Sequence, residues 1–321
     1  MGERLILLLA GAALGALTLS AFERLQKSTA PSAPSSVIVS IPATPPVPAG
    51  LAKSVNKFEV AKEIMPYGFP GPVSDILYRS AYVASYNRRD RNPNWVAEHL
   101  TNSTGGGGDR GKSQFKEDES IPPQFRARLL DYFKSGFDRG HMAPAADVTG
   151  GQEAMDETFY LTNIAPQVGE GFNRDYWAHF ESFCRRLTKT FPDVYILTGP
   201  LYLPRQDPVD HKWYVRYQVI GNPPNVAVPT HFYKVILAVR DGQYSLAAFV
   251  LPNARISNDT PLEQFQVPLD AVERAAGMVF FDKVPVPGGD RSKLKDLCKE
   301  TKCQLMAHKF MEERKLIRTG P

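Results

Sequence analysis

One long amphipathic pattern stands among many short strand-like runs, and this combination limits the folds open to the chain. Residues 173–190 carry aromatic and aliphatic side chains at helical spacing, which predicts a helix. The strand-like runs lie on both sides of that helix and do not alternate with helices in a regular βαβ series. We therefore predict an α+β fold, with an antiparallel sheet core and flanking helices.

The remaining predicted elements are shorter. A hairpin is expected from residues 81–86 and 95–101, which are β-prone runs separated by a polar turn. Later strands are predicted at 158–162, 194–198, 213–220, 232–240 and 244–251. Helices are predicted at 123–134, 152–156 and 269–278 from the spacing of their apolar residues.

The ends of the chain differ in composition from its middle. Residues 1–27 contain an uncharged run, 5–22, at the lower limit of length for a membrane span. A membrane anchor fits this run best, with a secretory signal peptide or a mitochondrial transit peptide as alternatives. Residues 28–56 are expected to form a Pro-rich linker, either a semi-rigid stalk or a leader that is cleaved away. A folded domain is predicted over 57–290, followed by a basic helical tail over 291–321.

Charge and cysteine content exclude some classes of protein. The net charge is only +4, so a polyanion-binding surface requires local clustering of the basic residues. Three cysteines do not make a disulfide framework, and their spacing matches no zinc pattern. Free thiols are the expectation, with a Cys298–Cys303 bridge as the alternative.

The stretch from Asp138 to His141 combines an acid, a fixed cation, a glycine and an imidazole. Glycine adopts backbone conformations closed to other residues, so it can bring the following histidine close to a ligand. A neutral imidazole can accept a proton near pH 7. In isolation, a surface histidine on an ordinary loop explains the pattern equally well.

The predicted long helix carries a second set of polar residues. Asn173, Trp177, Glu181 and Arg185 follow one another at i+4 and form a slowly winding stripe. A helix cap would explain Asn173, and a helix salt bridge would explain Glu181 with Arg185. An amide oxygen and a carboxylate also suit Mg²⁺. Together with a histidine base and an arginine, they form a set able to cleave a phosphodiester bond.

Four blocks of sequence, taken in order, resemble the DNA/RNA non-specific endonuclease family. Within that family they are most similar to the mitochondrial endonuclease G branch, in its fungal form. The blocks are residues 138–147, 156–168, 173–181 and 198–204. The resemblance covers roughly residues 67–284 and implies a ββα-metal fold at the active site.

The resemblance also implies roles for individual residues. His141 matches the general base, and Asn173 matches the single direct protein ligand to Mg²⁺ or Mn²⁺. Glu181 matches a carboxylate that holds the water shell of the metal. Asn163 matches an active-site polar residue of the family. Arg110, Arg139 and Arg185 match arginines near the phosphates, and Asp138 matches a structural acid.

Function and location follow from the same resemblance. It implies hydrolysis of DNA and RNA to 5′-phosphate ends, by a homodimer at the mitochondrial inner membrane or in the intermembrane space. The N-terminal segment would provide the membrane contact. One alternative is a catalytically silent nucleic-acid-binding or membrane-tethered interaction protein on the same fold. The other is a secreted nuclease, for which Asn102 and Asn258 would be glycosylation candidates.

Overall fold

The computed structural model describes residues 74–106, 108–148, 150–286 and 289–306. The predicted anchor segment (1–27) and linker (28–56) lie outside these residues, as do 57–73 and 307–321. Within the described part of the chain, no helix is long and apolar enough to cross a bilayer.

The described residues form fourteen strands and five short α-helices. The strands are β1 Ser74–Tyr78, β2 Tyr82–Asn87, β3 Asn92–Leu100, β4 Asp138–His141, β5 Ile164–Gln167, β6 Asp193–Leu201, β7 Arg205–Gln206, β8 Trp213–Tyr214, β9 Val219–Ile220, β10 Val226–Ala227, β11 His231–Arg240, β12 Gln243–Pro252, β13 Gln266–Val267 and β14 Lys295–Asp296. The helices are α1 Leu129–Tyr132, α2 Gln152–Glu157, α3 Tyr176–Leu187, α4 Leu269–Ala276 and α5 Leu297–Glu300.

An antiparallel sheet with strand order β1-β2-β3-β6-β11-β12-β13 forms the centre of the fold, and β14 adds a parallel pairing to β12. Its two longest strands, β11 and β12, are joined by a tight turn at Asp241-Gly242. β2 and β3 form the predicted hairpin. The α+β prediction, with a mainly antiparallel sheet and flanking helices, is confirmed.

Helices cover both faces of the sheet. Phe232 and Ile236 of β11 point into the core cluster that contains Phe180 of α3. The neighbouring residues Tyr233 and Val235 point into a second cluster with Val272 of α4. Alternate residues of a strand face opposite sides of its sheet, so α3 and α4 lie on opposite faces.

The long helix begins later than predicted. α3 starts at Tyr176, and Asn173 lies in the kinked turn Gly169–Asn173 before it. Gly171 has φ +80°, a conformation that breaks the helix and that other residues rarely adopt. The expected core side chains of α3 are buried, but so is Trp177, which the stripe placed on the polar face. The apolar face is therefore wider than predicted.

Two segments near the site also differ from prediction. The helix expected at 123–134 is a 3₁₀ turn, Pro123–Phe125, followed by the single-turn helix α1, since Arg126 and Arg128 have extended backbones. The strand expected at 158–162 is irregular, and the strand β5 begins only at Ile164. In addition, residues 213–220 contain two separate short strands, β8 and β9, in place of one.

The start of the tail belongs to the core of the domain. The prediction of a continuous basic helix from Ser292 is wrong for residues 291–306, which form a 3₁₀ turn, β14, α5 and an extended end. Leu297 and Cys303 are fully buried in the α3 cluster. Cys298 and Cys303 form a disulfide, so the expectation of free thiols holds only for the buried Cys184.

Candidate active site

The two-stranded β4–β5 sheet positions the histidine of the Asp138–His141 stretch. The two strands pair antiparallel, with Asp138 opposite Gln167 and His141 opposite Ile164. A Cβ atom on Gly140 would lie 2.1 Å from the side chain of Gln167, so no larger residue fits there. This close packing sets the position of β4 and therefore of both its terminal residues.

His141 lies in an aromatic pocket with two arginines at its edge. Its ring centroid is 5.3 Å from that of Phe115 and 4.8 Å from that of Phe159. The Arg139 guanidinium lies over the Phe115 ring at 4.3 Å, and Arg110 lies over Phe159 at 5.5 Å. Burial, followed by the charge of Arg110, lowers the pKa of His141 to about 3, so the imidazole is neutral at pH 7.

Asn163 braces the loop that follows His141. It is fully buried, and its Oδ1 accepts a hydrogen bond from the Ala143 amide at 2.9 Å. Its Nδ2 donates to the carbonyl oxygens of Ala143 and Thr158. All three bonds go to backbone atoms, so Asn163 supports the loop after His141, and its role as an active-site polar residue stays a prediction.

Asp138 orients Asn173. Asn173 Nδ2 donates to Asp138 Oδ2 at 2.9 Å, and Arg174 pairs with the same carboxylate through two bonds. Burial would raise the pKa of Asp138, but the hydrogen bonds from Arg174 and Asn173 outweigh it and hold the pKa below its usual value. Gly169 allows this approach, because a Cβ there would lie 2.9 Å from the carboxylate.

This contact bears on the metal predicted at Asn173. An ionised carboxylate only accepts hydrogen bonds, so the Asn173 amide nitrogen must face Asp138. The Oδ1 atom is thereby turned away and accepts no hydrogen bond from the described residues. A carbonyl oxygen held in one orientation suits Mg²⁺ or Mn²⁺, which take few protein ligands and keep several waters. Over the same part of the chain, no group of three His, Cys, Asp or Glu side chains could hold a metal.

A cluster of charges lies at the middle of α3, against the sheet. Arg185 pairs with the buried Asp147 at 2.5 Å. Burial raises the pKa of Glu181 to about 7, although the charges of Lys234 and Arg185 act to lower it. Lys234 is itself buried in β11, where its ammonium donates to Thr198 Oγ1 at 2.8 Å. Positive charge near Glu181 thus comes from both the helix and the sheet.

The predicted residues fall into two connected groups. Arg110, Arg139 and His141 share the pocket formed by Phe115 and Phe159. Glu181 and Arg185 interact on α3. Arg110 is near enough to influence the pKa of both His141 and Glu181, so it lies between the groups. Asn173 is joined to them through Asp138, which shares strand β4 with His141.

Sequence reasoning missed several residues of the site. The aromatic pocket and the buried Lys234 have no local signal, since Phe115 and Lys234 look like ordinary members of a loop and of a strand. Gln167 is fully buried, and neither polar atom of its side chain has a hydrogen-bond partner among the described residues. Gln167 lies inside the block of residues 156–168. Its position opposite Asp138 becomes known only from the pairing of β4 with β5.

Strand β4 with His141, the kinked turn with Asn173 and helix α3 with Glu181 form the candidate active site. The chain belongs to the DNA/RNA non-specific endonuclease family, whose sequence model matches residues 60–286. It is therefore an endonuclease, a phosphodiester hydrolase, with the ββα-metal fold.

Relatives place the chain within one branch of that family. The mitochondrial nuclease of Saccharomyces cerevisiae is 55% identical over 253 residues, which cover 76% of this chain and 75% of the relative. Human mitochondrial endonuclease G is 45% identical and covers 71% of this chain and 76% of its own. A solved EndoG/EndoGI complex matches with TM-score 0.65 and 52% identity over 73% of this chain and 94% of the other. The fungal mitochondrial branch is thus confirmed, and the names of these relatives support a mitochondrial location.

Proposed function

We propose that this chain cleaves DNA and RNA without sequence preference, with His141 as the general base and Asn173 as the direct ligand of Mg²⁺ or Mn²⁺. The observation that carries the proposal is the placement of a neutral, buried imidazole and of the carboxylate that orients Asn173 on the same four-residue strand. A metal held by Asn173 would then be anchored to the strand that carries the proton acceptor.

His141 takes the proton from the attacking water. Its Nε2 has no hydrogen-bond partner among the described residues and is closed to solvent, so the attacking water would have to reach it as substrate binds. In the free protein, a pKa of about 3 keeps the ring unprotonated but makes it a weak base. A phosphate dianion or diester brings negative charge to the pocket, and negative charge raises the pKa of an imidazole. Substrate binding therefore strengthens the base where it is needed.

Asn173 and Glu181 are the residues that would hold the metal from the protein side. Asn173 would present Oδ1 to it directly, and Glu181 would accept hydrogen bonds from the waters around it. When bound, the metal would supply positive charge that stabilises the leaving oxygen and a non-bridging phosphate oxygen. In the free protein a pKa of about 7 leaves Glu181 partly protonated, and a bound cation would favour its ionised form.

Arginines supply the remaining contacts with the substrate. Arg110 and Arg139 are exposed, and their planes rest on aromatic rings, which leaves their N–H groups available to phosphate oxygens. Arg185 is held in place by Asp147 and lies next to Glu181. Contacts of this kind recognise the backbone and not the base edges, which explains the lack of sequence preference.

The setting of the enzyme is part of the proposal. We place it at the mitochondrial inner membrane or in the intermembrane space, as a homodimer attached through residues 1–27. The uncharged run within that segment supports the membrane contact. The names of the mitochondrial relatives support the organelle.

A plasmid-nicking assay tests the chemistry. The wild type should nick supercoiled DNA with Mg²⁺ or Mn²⁺ and should stop when EDTA is added. His141→Ala should lose nicking while keeping its affinity for DNA, and the control His211→Ala, at an exposed position, should remain active. Retained nicking by His141→Ala would refute the assigned base. DNA binding without nicking by the wild type would favour the silent nucleic-acid-binding alternative.

A further inference from the structure

A second basic cavity lies beside the site, at the C-terminal end of α3. Its volume is about 330 Å³, and the loop at residues 102–104 forms its other wall. Three cations line it, Arg185, Arg186 and Lys189, and its other lining side chains are neutral and polar. Within the described part of the chain, no carboxylate and no apolar side chain lines this cavity. Such a lining suits an anion.

Among the described residues, two of the three cations have no acidic partner. Arg185 is neutralised by Asp147, but the hydrogen bonds of the Arg186 guanidinium within this part of the chain go to the Ser182 hydroxyl and the Gln304 carbonyl, both neutral acceptors, at 3.1 Å each. Lys189 is exposed and forms no ion pair with the described residues. Burial, together with the charge of Arg185, lowers the pKa of Arg186. A bound anion would offset this uncompensated charge.

Compensation of the helix dipole does not account for the whole lining. Basic residues in the last turn of a helix are common for that reason. The cavity also contains hydroxyl groups that still have a proton to donate. Ser182 Oγ accepts from Arg186, and Thr104 Oγ1 accepts from the Thr101 amide, so each keeps its own O–H donor. Donors of this kind match phosphate oxygens.

The cavity shares one residue with the charge cluster of the candidate active site. Arg185 belongs both to the charge cluster with Glu181 and to the cavity wall. From Glu181 to the end of α3 at Leu187 the helix rises by roughly 9 Å at 1.5 Å per residue, and Lys189 lies two residues beyond that end. Phosphates of one DNA strand recur about every 3.4 Å along the duplex axis. The cavity is thus within about three phosphates of the catalytic centre.

We propose that this cavity is a second phosphate subsite, in which Arg186 and Lys189 hold a backbone phosphate a few positions along the strand from the one being cleaved. This rests on the proposed function, because it extends the same substrate path. Such a subsite contributes to binding but takes no part in the bond-breaking step. Its loss should therefore raise KM and Kd while leaving kcat unchanged.

Lys189→Ala tests the subsite, with Lys283→Ala as the matched control. Both lysines are exposed, and Lys283 follows the Phe280–Phe281 pair that packs with α4 on the opposite face of the sheet. The intact protein is titrated onto a 30-base-pair duplex in EDTA at several salt concentrations. Lys189→Ala should raise Kd about fivefold at low salt and reduce the slope of log Kd against log salt by about 0.9. Lys283→Ala should change neither quantity.

Charge reversal and cleavage kinetics complete the test. Lys189→Glu should raise Kd further than Lys189→Ala, and KM in Mg²⁺ should follow Kd with kcat retained. If the Lys189 variants have the same Kd and salt slope as the matching Lys283 variants, the subsite is wrong. Because binding is measured in EDTA, this result is separate from any failure of the wild type to cleave DNA.

Discussion

The contact between Asp138 and Asn173 makes a sharp prediction for metal binding. Asp138→Asn replaces the acceptor of the Asn173 amide with a side chain that both donates and accepts. The asparagine at 173 is then free to turn its nitrogen toward the metal position. A hydrogen bond to a charged group contributes about 1.5–3 kcal/mol, and changes in residues that orient metal ligands cost about 10–100-fold in metal affinity. We therefore expect the Mg²⁺ concentration for half-maximal activity to rise about 10–100-fold.

Asp75→Asn is a closely matched control for this change. Asp75 holds Arg88 with two bonds of 2.6 and 2.7 Å, much as Asp138 holds Arg174. Asp75→Asn therefore also removes one negative charge and one Asp–Arg ion pair, but at a position that does not contact Asn173. The assay is the initial rate of plasmid nicking as a function of Mg²⁺ concentration. Most of the rate should return to Asp138→Asn at saturating metal. Equal half-maximal concentrations for the two variants would refute the orienting role of Asp138.

Three further predictions concern stability and substrate binding. The depressed pKa of His141 means that its contribution to stability is present above pH 6.5 and is lost as the pH falls toward 3. In urea titrations, the wild type should lose about 2 kcal/mol more unfolding free energy between pH 7 and pH 5 than His141→Gln does. Equal losses for the two proteins would show that the imidazole is not buried. Gly140→Ala should destabilise the protein by about 1–3 kcal/mol, because the new Cβ atom clashes with the side chain of Gln167. In the same titrations the control Gly111→Ala should be nearly neutral, because its Cβ atom meets the flexible Asp109 carboxylate. Cleavage of long duplex DNA at sub-KM substrate should fall steeply with added salt, linearly on a log–log plot, and a flat response would contradict binding through phosphates.

Local chemistry was the most predictable part of this molecule. The stretch from Asp138 to His141 and the polar residues of the α3 region could be recognised because their types and order carry the signal. The β2–β3 hairpin and the long strands β11 and β12 were also predictable, since each depends on neighbouring residues in the chain. These elements need no knowledge of distant contacts.

Features that depend on distant contacts could not be predicted in the same way. Asp138 and Asn173 are 35 residues apart, and nothing in their spacing indicates that one orients the other. The helix was predicted from Asn173, but α3 starts at Tyr176, because the turn Gly169–Asn173 extends through the first predicted residue. Asn163 shows the same limit, because its block was recognisable but its three backbone hydrogen bonds were not. The disulfide needed the burial of Cys303 beside α3 to become evident.

The shared strand β4 has a consequence for when the enzyme can act. His141 and Asp138 are at the two ends of one four-residue pairing with β5, so any opening of that pairing removes the base and the orientation of the metal ligand at once. An unfolding intermediate that retains the main sheet but has lost the β4–β5 pairing would be inert toward nucleic acid. Destructive activity would then accompany only the completed fold, a safeguard for a cell that makes a nuclease.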